Sequence, residues 1–221
     1  MRLPKLSARL SMTAALIPPG FAVADIGTDH AYLPVFLVQQ GIAPHAIAAD
    51  IDTGPLQNAA KSIERAGLQE KIQLRQSNGF GRFAAKDASV WVLAGMGGTL
   101  MARLLDVTPW LQMPGTTIVA QPMCRAHELR AWLIAHGFLI EQEAACRDAG
   151  RVYIALRALY DGQLRNYPPG YTYYGELIHS GDPIVRTFLA RELNLLRVRV
   201  EAPGESADLE EAYHDFCARY L

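Results

Sequence analysis

The segment Phe21-Ala22-Val23-Ala24-Asp25-Ile26-Gly27-Thr28-Asp29-His30-Ala31-Tyr32 decides how this chain is read. It opens as a short apolar run, Phe21 to Ala24 continued by Ile26, the pattern of a strand buried on both faces of a parallel sheet. Pro18-Pro19-Gly20 breaks any preceding helix, Gly27 supplies a turn, and an apolar helical stretch starts near Ala31. Strand, glycine turn, helix is the entrance to a nucleotide-type site, in which the ligand lies over the carboxyl end of the strand. A pyrophosphate turn uses three glycines so that backbone approaches phosphate at a helix N-terminus. This turn has one, Gly27, with carboxylates at Asp25 and Asp29. Those would repel phosphate and suit a ligand carrying an ammonium and a sulfonium, as S-adenosylmethionine (SAM) does. The plainer reading has Asp25 ending a strand and Asp29 capping the next helix.

Downstream, the chain alternates strand and helix patterns. His45 to Asp50 reads as the second strand and ends in an acid 23 residues past Gly27. An acid there can accept hydrogen bonds from ribose hydroxyls. Asp52 competes, but Thr53-Gly54-Pro55 after it suits a helix cap and first turn, so Asp50 is preferred. Lys71 to Gln76 reads as a third strand, followed by the turn Ser77-Asn78-Gly79-Phe80, where Asn78 can bond an adenine amino group or simply make a turn. Ala88 to Ala94 is a strongly apolar fourth strand running into Gly95-Met96-Gly97-Gly98, whose glycines let backbone approach a ligand closely. Thr116 to Ala120 is a fifth strand, ending in Gln121-Pro122-Met123; Gln121 is either a polar group at the ligand edge or a solvated loop residue. Phe138 to Cys146 and Arg151 to Leu159 form an antiparallel pair around Asp148-Ala149-Gly150. The expected fold is therefore α/β, a Rossmann-like class I methyltransferase sheet with an antiparallel terminal hairpin.

The character changes after Tyr160. Asp161 to Tyr174 is rich in Gly, Pro and Tyr and reads as a linker or lid; Pro183 to Val200 and Asp208 to Arg219 read as helices. Arg186 and Arg197 fall on one face, as phosphate contacts or as the solvated side of a packed helix. The expected division is 1–160, a SAM-binding domain, and 161–221, a linker with a small α-helical extension.

With those pieces placed, the chain resembles the TrmK family of bacterial tRNA (adenine-N1)-methyltransferases, which act on adenine 22 of tRNA. The resemblance covers residues 6 to about 160. It rests on Leu6-Ser7-x-Arg9-Leu10, Asp25 to Pro34, Gly54-Pro55, Ala94-Gly95-Met96-Gly97-Gly98, Gln121-Pro122 and Leu129-Arg130-x-Trp132-Leu133. It implies a SAM-binding Rossmann-like domain with a helical tail, a tRNA partner, and SAM contacts at Asp25, Gly27, Asp50, the Asn78 turn and the Ala94–Gly97 loop. The family's usual Asp before the third-strand glycine is Asn78 here, and the usual Asn after Gln-Pro is Met123. The whole expected cofactor set is Asp25, Gly27, Asp29, His30, Asp50, Ile51, Asn78, Gly79, Ala94, Gly95, Met96 and Gly97. The expected catalytic set is Asp29, His30, Tyr32 and Gln121. Adenine N1 is a neutral nucleophile that needs alignment more than a base. Asp29 would stabilise the cationic product ring, and His30 or Tyr32 would orient the base. The rival for His30 is a buried structural histidine. The rival functions are methyl transfer to a small molecule or protein, and SAM binding without catalysis.

Composition bounds the remainder. The 221 residues are half apolar and carry a net charge of −1, which argues against a large nonspecific nucleic-acid surface. The charge is uneven: residues 1–160 are net +3 and residues 161–221 net −4. Cys124, Cys146 and Cys217 are scattered and odd in number, which suits a reducing cytoplasm and no metal site. The opening Met1 to Lys5 lacks a signal-peptide core, and no apolar run is long enough to span a membrane. Oligomeric state is left open.

Overall fold

The computed structural model describes residues 5–202 and 207–221, so the reading of Met1–Pro4 lies outside the described residues. Five parallel strands come first: β1 (Val23–Ile26), β2 (Ala46–Asp50), β3 (Ile72–Gln76), β4 (Val90–Met96) and β5 (Thr117–Pro122). An antiparallel hairpin of β6 (Phe138–Asp148) and β7 (Arg151–Tyr160) completes the sheet in the order β3-β2-β1-β4-β5-β7-β6. The strand order reverses between β1 and β4, which opens a crevice above their carboxyl ends.

Local sequence accounts for these elements. All four residues of β1 are buried, as a central parallel strand requires. Phe21, expected in the strand, lies before it and is 49% exposed. Helix α1 (Ala8–Ala15) is capped by the Ser7 hydroxyl, which accepts from Leu10 N–H at 3.3 Å. Helix α2 (Tyr32–Gln39) carries Pro34 in its first turn, where a missing N–H leaves no bond unmade. Ala149 and Gly150 both adopt positive φ, 46° and 77°, making a two-residue turn between the paired Asp148 and Arg151.

Helices α3 (Thr53–Arg65), α4 (Gly98–Asp106) and α5 (Ala126–Ala135) complete the parallel part. The tail contributes α6 (Tyr171–Tyr174), α7 (Pro183–Val200) and α8 (Ala207–Tyr220). Its apolar side chains do not form a core of their own. Phe188, Leu189, Leu196 and Phe216 are buried in the same cluster as Trp91, Leu93 and Ile118 of the sheet. Tyr171 and Tyr174, in the Gly/Pro/Tyr-rich stretch, are 6% and 2% exposed. The two arginines on the shared face of α7 have local partners: Arg186 lies over the Tyr220 ring at 5.3 Å, and Arg197 donates to Asn194 and Glu201. Among the described residues no helix is long and apolar enough to cross a membrane.

Candidate active site

The register brings the tips of four strands to one edge. Ile26 pairs with Ala49 and Leu93, and Ala94 pairs with Gln121. Gly27, Asp50, Ala94 and Gln121 therefore stand side by side above the crevice.

Gly27 turns the chain with φ 84°, and its N–H and that of Thr28 both donate to Ala49 O at 2.8 Å, anchoring the turn on β2. A Cβ at Gly27 would come within 2.3 Å of the Met96 methyl, so the turn and the β4 loop close on each other. Beneath the turn, Asp25 is 6% exposed. Burial pushes its carboxyl up to about 6, the Thr28 hydroxyl draws it back, and the Asp50 charge adds to the rise. Asp25 and Asp50 together form a negative edge with one buried carboxylate in want of a cation.

The other tips are built from backbone. Asp50 Oδ1 accepts from Asp52 N–H at 3.0 Å, and Gln76 Nε2 fixes the Ile51 carbonyl at 3.0 Å. Ile51 and Asn78 are exposed at the rim, whereas buried Ser77 braces its own turn by donating to Gly79 O at 2.9 Å. The β4–β5 register shifts between Ala94 and Met96, a bulge that uses the positive φ of Gly95, 83°. Gly98 is held against the β5 tip: its N–H donates to Cys124 O at 2.9 Å, and a Cβ there would strike Arg125 O at 2.2 Å.

The expected catalytic residues separate into two groups. Asp29, His30 and Tyr32 are together at the mouth: His30 Nε2 is 3.3 Å from Asp29 Oδ2, and the His30 and Tyr32 rings stack at 5.0 Å and 9°. The Asp29 side chain is 73% exposed and His30 39%, so His30 is not a buried structural histidine. Nor does Asp29 cap α2, whose N-cap is Ala31 in a left-handed conformation with no side-chain cap. Likewise Asp52 occupies the N-cap of α3 without a side-chain bond. Gln121 stands apart from that group. It is 1% exposed, donates Nε2 to Pro122 O at 3.0 Å and is no solvated loop residue.

Sequence reasoning missed the residue that holds Gln121. Arg9 of α1 reaches across the sheet edge to Gln121 Oε1 at 3.4 Å and Met123 Sδ at 2.9 Å. Its Nε is anchored on Asp148 Oδ2 at 3.2 Å, and its guanidinium lies over the Tyr153 ring at 5.0 Å. Arg9 already stood in the Leu-Ser-x-Arg-Leu match, but no spacing rule points from it to a site 112 residues away. Among the described residues no group of three or more His, Cys, Asp or Glu side chains is placed to hold a metal ion.

A parallel sheet with an antiparallel closing hairpin, a single-glycine turn over a buried acid and a second acid on the next strand define a Rossmann-like methyltransferase, the class whose methyl donor is SAM. Residues 6–156 match the family described as a methyltransferase domain. The chain is 33% identical over 197 residues to the tRNA (adenine(22)-N(1))-methyltransferase of Bacillus subtilis, covering 86% of this chain and 77% of that protein. The chain belongs to that methyltransferase family. In the solved structures it is similar to a Streptococcus pneumoniae protein in complex with SAM, with TM-score 0.83, 33% identity and coverage of 98% and 100% of the two chains. It is also similar to the Bacillus subtilis enzyme TrmK, with TM-score 0.81, 27% identity and coverage of 99% and 97%.

Proposed function

We propose that this chain methylates N1 of adenine 22 in tRNA, using SAM, in the cytoplasm. The observation that carries the reading is the pair of acids at one strand edge, Asp25 buried beneath Gly27 and Asp50 on the adjoining tip. The kinship with the Bacillus subtilis tRNA enzyme supports the substrate. The free thiols Cys124, Cys146 and Cys217 suit a reducing compartment.

The residues fit the donor. Asp25 would take the ammonium, Asp50 the ribose hydroxyls, and the backbone at Asn78–Gly79 and Ala94–Gly97 the adenosine faces. When bound, SAM supplies an electrophilic methyl carried on a sulfonium. The chain has then to present adenine N1 in line with it. N1 has a free lone pair, so no residue need remove a proton first, and positioning supplies most of the rate. The stacked His30–Tyr32 rings at the mouth offer a flat apolar surface for the target base. The Asp29 carboxylate beside them offsets the positive charge that builds on the ring. The base must leave its stack to reach this depth, a cost met by those contacts.

The test is methyl transfer from labelled SAM to tRNA made without the modification. Label is expected as 1-methyladenosine in tRNA with adenine at position 22, and absent when guanine stands there. SAM binding with no transfer to either tRNA would overturn the substrate.

A further inference from the structure

Beside the active site, a groove of about 700 Å³ runs between the start of α5, strand β7 and helix α7. Pro122 and Met123 form one end of its lining, so it begins at the β5 tip, where the catalytic edge ends. The family match at residues 6–156 leaves out the α7 wall of this groove.

Two chemistries meet in it. Arg125, Arg191 and Arg199 line it, although the tail that supplies two of them is net negative. Two carboxylates also line it and have neighbours: Arg125 and Thr99 donate to Glu128, and Arg191 donates to Glu192. The partner of Arg199 among the described residues is a neutral group, the Tyr173 hydroxyl, at 3.3 Å. The groove also shows apolar surface to solvent at Met123, Leu195 and Val198, which are 39%, 52% and 54% exposed. Its floor holds the parallel rings of His127 and Tyr173, 4.9 Å apart at 15°. Burial and the nearby Arg199 hold the His127 imidazole below its ordinary pKa, so at neutral pH it is an uncharged ring. Its Nδ1 has no hydrogen-bond partner among the described residues.

Cationic groups beside exposed apolar and flat surface form the complement of a nucleotide, which joins an anionic phosphate to an apolar base. A protein partner would use the apolar surface and leave Arg199 without a partner charge, and a free anion would leave the apolar surface unused. We propose that this groove is the subsite for the nucleotide adjoining the target adenine on the RNA strand, with Arg199 and Arg191 meeting its phosphate and Met123, Leu195 and Val198 meeting its base. The proposal rests on the tRNA reading above.

The variants Arg199→Ala and Val198→Glu test it. Both positions are on the exposed wall of α7, and Val198→Glu places a charge on the apolar surface where the base would lie. The KM for tRNA is expected to rise on the order of tenfold in each, the scale of one phosphate or stacking contact. The kcat and SAM affinity are expected to stay within about twofold of wild type, and Arg199→Ala should lower the salt slope of RNA affinity by about one. Unchanged KM and salt slope in both variants, with the wild type active on tRNA, would overturn the subsite and leave the substrate reading intact. If the wild type methylates no tRNA, binding of a fluorescent single-stranded five-nucleotide RNA decides the groove alone. Affinity reduced about tenfold by both substitutions supports it; no binding, or equal binding by all three proteins, overturns it.

Discussion

Arg130 and Glu143 meet at 2.9 Å with both side chains fully buried, joining α5 to β6. The pair does more than bridge those two elements. Arg130 Nη1 donates to the carbonyls of Thr172 and Tyr173 at 2.9 and 3.1 Å, and Glu143 accepts from Glu176 N–H at 2.7 Å. Burial pushes the Glu143 carboxyl up, and the guanidinium pulls it back. An ion pair taken out of water gains little net energy when intact but leaves a costly lone charge when broken. Arg130→Leu is expected to lose about 3–5 kcal/mol in urea unfolding. Arg130→Leu with Glu143→Leu together should recover part of that loss. A double variant no more stable than the single one would show that the pair acts through something other than its charges.

Gly175 is the position at which the tail can pass this pair. Its φ is 56° and ψ −153°, a conformation that residues with a Cβ rarely adopt, and a Cβ would stand 1.9 Å from Glu143 Oε2 and 2.6 Å from Arg130 Nε. Gly175→Ala is expected to destabilise by more than about 2 kcal/mol and to expose the segment before α7 to proteases. Digestion at the wild-type rate would contradict the strained passage.

Asp25 ties affinity to pH. Its carboxyl is raised from 3.8 to about 6, so the folded protein holds the proton more tightly than the unfolded chain. Stability from this group is therefore fully present below pH about 4 and is lost as pH rises towards 6, after which it is level. Asp25→Asn should make the ligand-free protein more stable at pH 7, by an amount on the order of 2–3 kcal/mol. An ammonium ligand selects the ionised form, so SAM affinity should weaken as pH falls through about 6. Calorimetric titrations between pH 5 and 8 would show a slope in the wild type and a flat, weak profile in Asp25→Asn.

Arg9 positions the β5 tip. Arg9→Ala should free the Gln121 amide and the Met123 side chain, lowering kcat with SAM affinity unchanged. Arg9→Lys should not restore it, because an ammonium cannot hold Asp148 and Gln121 through one planar fork. Met123→Asn replaces a weak sulfur acceptor with an amide oxygen, and its kcat is expected to equal or exceed that of wild type. A kcat unaffected by Arg9→Ala would remove Arg9 from the site.

The central strands were legible because burial writes itself into sequence. Val90 to Leu93 and Ile118 to Ala120 carry unbroken apolar runs, and Gly27 and Gly95 sit where positive φ is needed. The cluster of Asp25 and Asp50 followed from counting strand tips. What local pattern could not show were contacts between distant parts of the chain. Gln121 is polar yet fully buried, because its partners include its own neighbour's carbonyl and an arginine from the first helix. Tyr171 and Tyr174 lie in a stretch with the composition of a linker, and their burial depends on Glu176 and Asp215, which accept from their hydroxyls. Arg130, on α5, is buried because Glu143 waits on the next strand.

The reach of Arg9 to Asp148 spans 139 positions of the chain. A ribosome releases the first helix long before the β6–β7 turn on which its arginine comes to rest. Until that hairpin emerges, Gln121 and Met123 lack the guanidinium that holds them, so the β5 tip is finished late in synthesis. Such closing contacts between distant segments slow folding, and a chain cut short before Asp148 would present the Gly27 turn with its neighbouring edge still unassembled.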